Sequence, residues 1–315
     1  MGSGCRWVEP MLATLTHERF SREGWIFEPK FDGERCLALR NGDSVHLLSR
    51  NRKPLDGTYP ELIEPLRAQP AESFILDGEV VAFDGEVTSF RRLQQRMQIH
   101  DARQALSANV PVFYYVFDLL CLSGKDLTHE PLIDRKRLLE TTFRFADPLR
   151  FTSLRETEGE AFYAEACRRG WEGLIAKRSG SEYVSRRSRE WLKFKCTNQQ
   201  EFVIGGYTDP KGARAEFGAL LVGYYERGKL RYAGKVGTGY TEDTLSRLGK
   251  QLAALTSPAS PFFEPVLPHH GVHWVKPKLV AEVGFTEWTN DGKLRHPRYL
   301  GLRDDKAAEA VVREG

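Results

Sequence analysis

The alternation of apolar and polar positions changes character part-way along the chain. Before Cys196, apolar runs at Cys36 to Leu39, Phe74 to Phe83 and Val112 to Leu120 predict strands. Tyr59 to Ala68 and Glu158 to Arg169 have the spacing of helices, and the mixture predicts an α+β unit. Beyond Glu201 the strand signal dominates. Glu201 to Tyr207, Ala219 to Tyr225 and Lys229 to Val236 are rich in β-branched and aromatic residues, with Glu226 to Gly228 as a hairpin turn. Thr241 to Leu255 predicts one helix capped by Thr241, followed by strands at Val272 to Val275 and Val280 to Thr286. Five strands interrupted by a helix match the count of an oligonucleotide-binding (OB) barrel. The expected domains are therefore 5–198 and 199–315, with no internal repeat or low-complexity tract.

Composition changes this picture little. With 315 residues, 41% hydrophobic and 28% charged, the chain can bury a core in each of two domains. No run is long and apolar enough for a membrane span and no signal-peptide pattern opens the chain, so a soluble, cytoplasmic protein is expected. Met1 to Gly4 are set aside as resembling an expression remnant. A net charge of +3 is too small to announce nucleic acid. Local clusters say more: Arg91, Arg92 and Arg96; Arg135, Lys136 and Arg137; and Arg186, Arg187 and Arg189. Each alone is as readily a solvated face as a phosphate-binding patch. The five cysteines are scattered singly, which predicts reduced structural thiols and no zinc site.

Candidate chemistry centres on Glu28-Pro29-Lys30-Phe31-Asp32-Gly33-Glu34-Arg35, which lies between the apolar runs Trp25 to Phe27 and Cys36 to Leu39. Alone, Lys-x-Asp-Gly would be an ordinary turn. It is followed in order by Ser49-Arg50-Asn51, Leu76-Asp77-Gly78-Glu79, Tyr115 to Asp118, Trp171-Glu172-Gly173 to Lys177, and Trp191-Leu192-Lys193-Phe194-Lys195. This series resembles the covalent nucleotidyltransferase superfamily of DNA ligases, RNA ligases and mRNA capping enzymes. The tail from Leu294 to Lys306 is similar to the final motif of ATP-dependent DNA ligases, and the whole stretch from Pro10 resembles most the ligase modules of bacterial end-joining (LigD-type) proteins.

The resemblance implies an ATP-grasp-like adenylation domain followed by an OB domain, and a reaction in which Lys30 carries a covalent AMP. A free lysine has a pKa of about 10.4, so only about one in a few thousand is a neutral amine at pH 7. Neighbouring cations and desolvation lower that value and activate the amine. By likeness, Glu28 reaches the adenine amino group and Phe117 stacks on its ring, Glu79 and Arg35 contact the ribose, and Lys193 and Lys195 hold the α-phosphate. Arg50 orients phosphate, including that of the nick. Glu172, with Glu79, holds Mg²⁺ or Mn²⁺, and Arg303 in a mobile tail neutralises the departing phosphates. Arg91, Arg92, Arg186 and Arg187 are candidate DNA contacts.

The expected substrate is nicked duplex DNA, met as a monomer at the nucleoid, in repair or end joining with a Ku-type end-binding protein as candidate partner. No nicotinamide-binding domain, zinc module or helix-hairpin-helix repeat is visible, so ATP is the expected donor and the chain reads as a core ligase, free-standing or excised. Its rivals are an RNA-joining or capping-type nucleotidyltransferase, and a binding protein that has lost its chemistry.

Overall fold

The computed structural model describes residues 5–210, 216–264 and 271–314, so Met1 to Gly4 and Gly315, at the expected domain ends, lie outside the described residues. The chain divides into two compact units, Met1–Cys196 and Thr197–Gly315.

The principal strands of the first unit are β1 (Leu12–Leu15), β2 (Trp25–Lys30), β3 (Glu34–Asn41), β4 (Ser44–Ser49), β5 (Ser73–Val81), β6 (Phe113–Leu122), β7 (Leu149–Phe151), β8 (Gly173–Arg178) and β9 (Arg187–Lys195). They form two sheets. One runs β1-β9-β8-β2 and ends on a short strand at Arg155–Glu156; the other runs β7-β6-β5-β3-β4. Pairing is antiparallel apart from β1 with β9 and β7 with β6. The longer helices of the unit are α1 (Phe90–Met97), α2 (Leu132–Thr142) and α3 (Gly159–Arg168).

Burial separates the faces by the two-residue period of a strand. Phe27, Leu174, Ala176, Leu192 and Phe194 pack with Phe162 and Ala166 of α3. Ile26 and Trp191, on the other face of the same sheet, join Leu37, Ile75 and Phe117 of the second sheet in a shared core. The far face of the second sheet buries Cys36, Ala38, Leu76, Val80 and Tyr114 with Phe90 and Leu93 of α1 and Leu139 of α2. The space between the sheets is thus the one place where residues of β2, β8 and β9 meet residues of β3, β5 and β6.

In the second unit β10 (Asn198–Thr208), β11 (Leu220–Glu226), β12 (Lys229–Val236), β13 (Val272–Val275), β14 (Val280–Phe285) and β15 (Arg298–Leu302) build an antiparallel path β15-β14-β10-β11-β12, with β13 paired to the end of β10. Helix α4 (Glu242–Ala254) follows β12, and the Thr241 hydroxyl caps it by accepting from the Thr244 N–H at 3.2 Å. Among the described residues one backbone bond, Tyr299 N–H to the Thr238 carbonyl at 2.9 Å, links the path's two ends. This is the OB arrangement, and among the described residues no ladder closes it into a barrel.

Four differences from the sequence reading have physical causes. The tail expected to be mobile supplies β15, because Tyr299 and Leu302 bury their side chains in the second core. The helix expected over Tyr59 to Ala68 is a 3-10 turn, Pro60–Leu62, and a short helix, Ile63–Arg67. Arg96, Arg135 and Lys136 are not solvated: all three are buried, Arg96 against Glu61, Arg135 against Asp118 and Lys136 against Glu28. Four of the cysteines, expected reduced, are paired as Cys5–Cys121 and Cys167–Cys196, leaving Cys36 buried and free. Separations of 116 and 29 residues carry no signal of contact; only the packing brings these thiols together.

Gly173 tests how tightly the first sheet is drawn together. Its φ is +147°, and a Cβ there would lie 1.9 Å from the Phe194 carbonyl oxygen of β9, whereas one at Gly180 meets nothing within 4 Å. Gly173→Ala is expected to cost more than about 3 kcal/mol in urea unfolding and Gly180→Ala less than about 0.5 kcal/mol. Equal midpoints for the two variants would refute this reading of the packing.

Candidate active site

The chain crosses from one sheet to the other between Lys30, the last residue of β2, and Glu34, the first of β3. Gly33 permits the crossing, since a Cβ there would sit 2.3 Å from the Val80 carbonyl oxygen. Asp32 ties the turn to α1 by accepting the Phe90 N–H at 3.0 Å. Register then sets the neighbours of Lys30: it stands opposite Gly173, which stands opposite Lys195, while Glu28 stands opposite Ile175 and Ile175 opposite Lys193. Directly opposed residues project to the same side of a sheet. Lys30, Glu28, Lys193 and Lys195 therefore share the face turned toward the second sheet, and Lys30 Nζ lies 2.5 Å from Glu172 Oε2.

Across the gap, Arg35 stands opposite Glu79, and Glu79 opposite Tyr115. The Arg35 guanidinium donates from Nε and Nη2 to the two carboxylate oxygens of Asp77 at 2.5 and 2.6 Å. Tyr183 donates its hydroxyl to Asp77 Oδ2 at 2.6 Å and accepts the Met11 N–H at 3.0 Å. Burial works against the charge on Arg35, but Asp77 outweighs it and holds the guanidinium above its ordinary value. The same guanidinium lies 4.6 Å from the centre of the Phe117 ring.

Glu28 is sealed from water at 1% exposure. One of its oxygens accepts from Lys136 Nζ at 2.5 Å; the other faces Lys177 Nζ at 2.6 Å as an ion pair, not as a well-directed hydrogen bond. Lys177 also lies 4.3 Å from the Phe117 ring and 4.1 Å from that of Trp191. Burial pushes the Lys177 ammonium below its ordinary range, with Glu28 resisting and Lys136 adding to the push.

Every sequence-selected residue of the first unit's site, apart from Arg50, falls on strands around this gap or directly before one. Arg50 follows β4 and is half-buried. Arg91, Arg186 and Arg187 are exposed; Arg92 is half-buried and donates to the Asn109 carbonyl at 2.9 Å. Arg303, expected to seek phosphate, is turned into the second unit. It donates to Asp305 at 2.8 and 2.9 Å and lies 3.6 Å from Glu282; burial opposes its charge but Asp305 prevails and raises its pKa well above the ordinary value. Lys306 is likewise paired, with Glu201 at 2.7 Å. Sequence reasoning misses Asp77, Lys177 and Trp191, which lie inside the quoted motifs, and also Tyr183 and Lys136. Lys136 sat in a charged triplet whose first two members turn inward.

Residues 10–195 match the ATP dependent DNA ligase domain, and residues 213–306 the ATP dependent DNA ligase C terminal region. The chain belongs to the ATP-dependent DNA ligases. Among this family's members, the multifunctional non-homologous end joining protein LigD of Pseudomonas aeruginosa is 38% identical over 316 residues, covering 98% of this chain and 37% of that protein. The corresponding repair protein of Mycobacterium tuberculosis is 40% identical over 313 residues, 98% of this chain and 40% of its own length. The ligase chain thus spans about 40% of these relatives. A structure of mycobacterial DNA ligase D complexed with ATP and MES is similar at a TM-score of 0.69 and 37% identity, covering 98% of each chain.

The Arg303 arrangement yields an expectation for the ligase's second unit. Arg303→Ala would leave two buried carboxylates, Asp305 and Glu282, without their shared cation. A loss of about 3–5 kcal/mol is expected in the unfolding of that unit, read by urea titration. A variant that melts like its parent would show that the pair contributes nothing.

Proposed function

We propose that this chain seals nicks in duplex DNA at the expense of ATP, with Lys30 as the residue that becomes adenylated. The observation carrying this is the placement of Lys30: at the crossover between sheets, touching Glu172 and facing Lys195 across a side-chain-free Gly173. The Lys30 amine attacks the α-phosphorus, a nitrogen–phosphorus bond forms and pyrophosphate leaves. AMP then passes to the 5′-phosphate of the nick, and the adjacent 3′-hydroxyl displaces it to join the strand. The attacking group must be a neutral amine, because an ammonium has no lone pair to give to phosphorus.

Lys193 and Lys195 supply positive charge at the phosphates, Phe117 the face and Glu28 the edge that meet the adenine, and Arg35 and Glu79 the contacts to the ribose. Arg50 orients the phosphate of the nick, and Arg91, Arg92, Arg186 and Arg187 grip the DNA backbone. Among the described residues no three His, Cys, Asp or Glu cluster as a metal cage. Glu172, with Glu79, would hold a hard ion such as Mg²⁺ or Mn²⁺, which would neutralise phosphate charge. The end-joining relatives support a repair role; in this reading the protein acts as a monomer at the nucleoid, with a Ku-type protein bringing the ends. No helix among the described residues is long and apolar enough to cross a membrane.

Incubation with ATP labelled at the α-phosphate should mark the protein with acid-labile AMP, and the protein should then close a 5′-phosphorylated nick in DNA. Lys30→Ala should do neither. Lys30→Arg should also fail, because a guanidinium stays protonated and cannot attack. EDTA should stop both reactions. Label retained on Lys30→Ala would remove Lys30 from the role.

A further inference from the structure

Lys136 belongs to none of the motifs that define the site, yet it is the cation that reaches across it. It projects from α2, is 1% exposed, and its three ammonium protons meet three acceptors: Glu28 Oε1 at 2.5 Å, the Thr152 carbonyl at 3.0 Å and the Phe117 carbonyl at 3.3 Å. Glu28 lies on β2 of the first sheet and Phe117 on β6 of the second, while Thr152 directly follows β7. A single buried charge therefore ties a carboxylate of one sheet to the backbone of the other. An ammonium held this way has no spare donor, and moving it would strand a buried charge.

We propose that Lys136 is a positioning residue for nucleobase selection, fixing the carboxylate of Glu28 relative to the ring of Phe117. This rests on the assignment of Glu28 and Phe117 to the adenine edge and face. An edge contact discriminates between bases only if its position relative to the stacking face is held, because a donor or acceptor displaced by about 1 Å no longer rejects the wrong pattern. Lys177 holds the other oxygen of Glu28 from β8 and lies 4.3 Å from the Phe117 ring, whereas Lys136 hydrogen-bonds the backbone of the strand that carries Phe117.

The test compares self-labelling by ATP and by GTP over a range of concentrations for the parent, Lys136→Met and Lys136→Gln, with thermal melting to identify folded variants. In a folded variant the KM for ATP should rise roughly tenfold with the maximal rate within about threefold, and the preference for ATP over GTP should narrow by roughly tenfold. Adding Glu28→Gln to either variant should change the preference little further, since the two residues act as one unit. A mere sheet-to-sheet strut predicts something else: labelling by both nucleotides falls by the same factor. That result, or an unchanged preference in either folded variant, overturns the proposal. A parent protein that no nucleotide labels would instead sink the underlying nucleotide assignment, and this proposal with it.

Discussion

A carboxylate withdrawn from water costs several kcal/mol, on the order of the whole net stability of a domain, unless cations and donors replace its hydration. The first unit carries Glu28, Asp77 and Asp118 in that condition, and each is answered from an element other than its own. Arg35 of β3 and Tyr183 answer Asp77; Arg135 of α2 answers Asp118; Lys136 of α2 and Lys177 of β8 answer Glu28. Because a guanidinium grips both oxygens of a carboxylate, these contacts fix angle as well as distance. Helix α2 thereby locks onto both sheets through two consecutive residues. The gap in which Lys30 stands is held at its width by charge, where apolar packing alone would tolerate sliding.

The second unit obeys the same rule at a smaller scale. Glu282 of β14 and Asp305 converge on Arg303, and Glu201 of β10 takes Lys306, so the tail is bound by its cations as well as by Tyr299 and Leu302. A motif whose cations are conspicuous in sequence is, in this conformation, engaged in holding its own domain together.

Much of this was legible in the sequence. Strands β10 to β14 of the second unit were found close to their positions because they are rich in β-branched and aromatic residues around short turns, as at Arg227-Gly228 between β11 and β12, whereas β15 was not. The placement of Lys30 between two strands was legible from the apolar runs on either side of it. By contrast β8 and β9 were not singled out as strands: Leu174, Ile175 and Ala176 in β8, and Trp191 and Leu192 in β9, put apolar residues on both faces, and this erases the simple alternation. The charged triplet at Arg135 was misread for a related reason. Nothing local shows that Asp118 and Glu28, 17 and 108 residues away, will claim its first two members. Pairing between distant ions, like that of Cys5 with Cys121, is a property of topology.

The cysteines have a practical corollary. Four are committed to Cys5–Cys121 and Cys167–Cys196, and the fifth, Cys36, is buried with its thiol pushed up by burial and by the nearby Glu34 and Asp77. In the oxidised form a thiol-directed dye has no accessible partner in the native chain, since alkylation requires an exposed thiolate. One cysteine introduced into each unit would then be the two reactive sites on the molecule, and fluorescence energy transfer between them could follow the units through a catalytic cycle without first stripping the chain of its own sulfur.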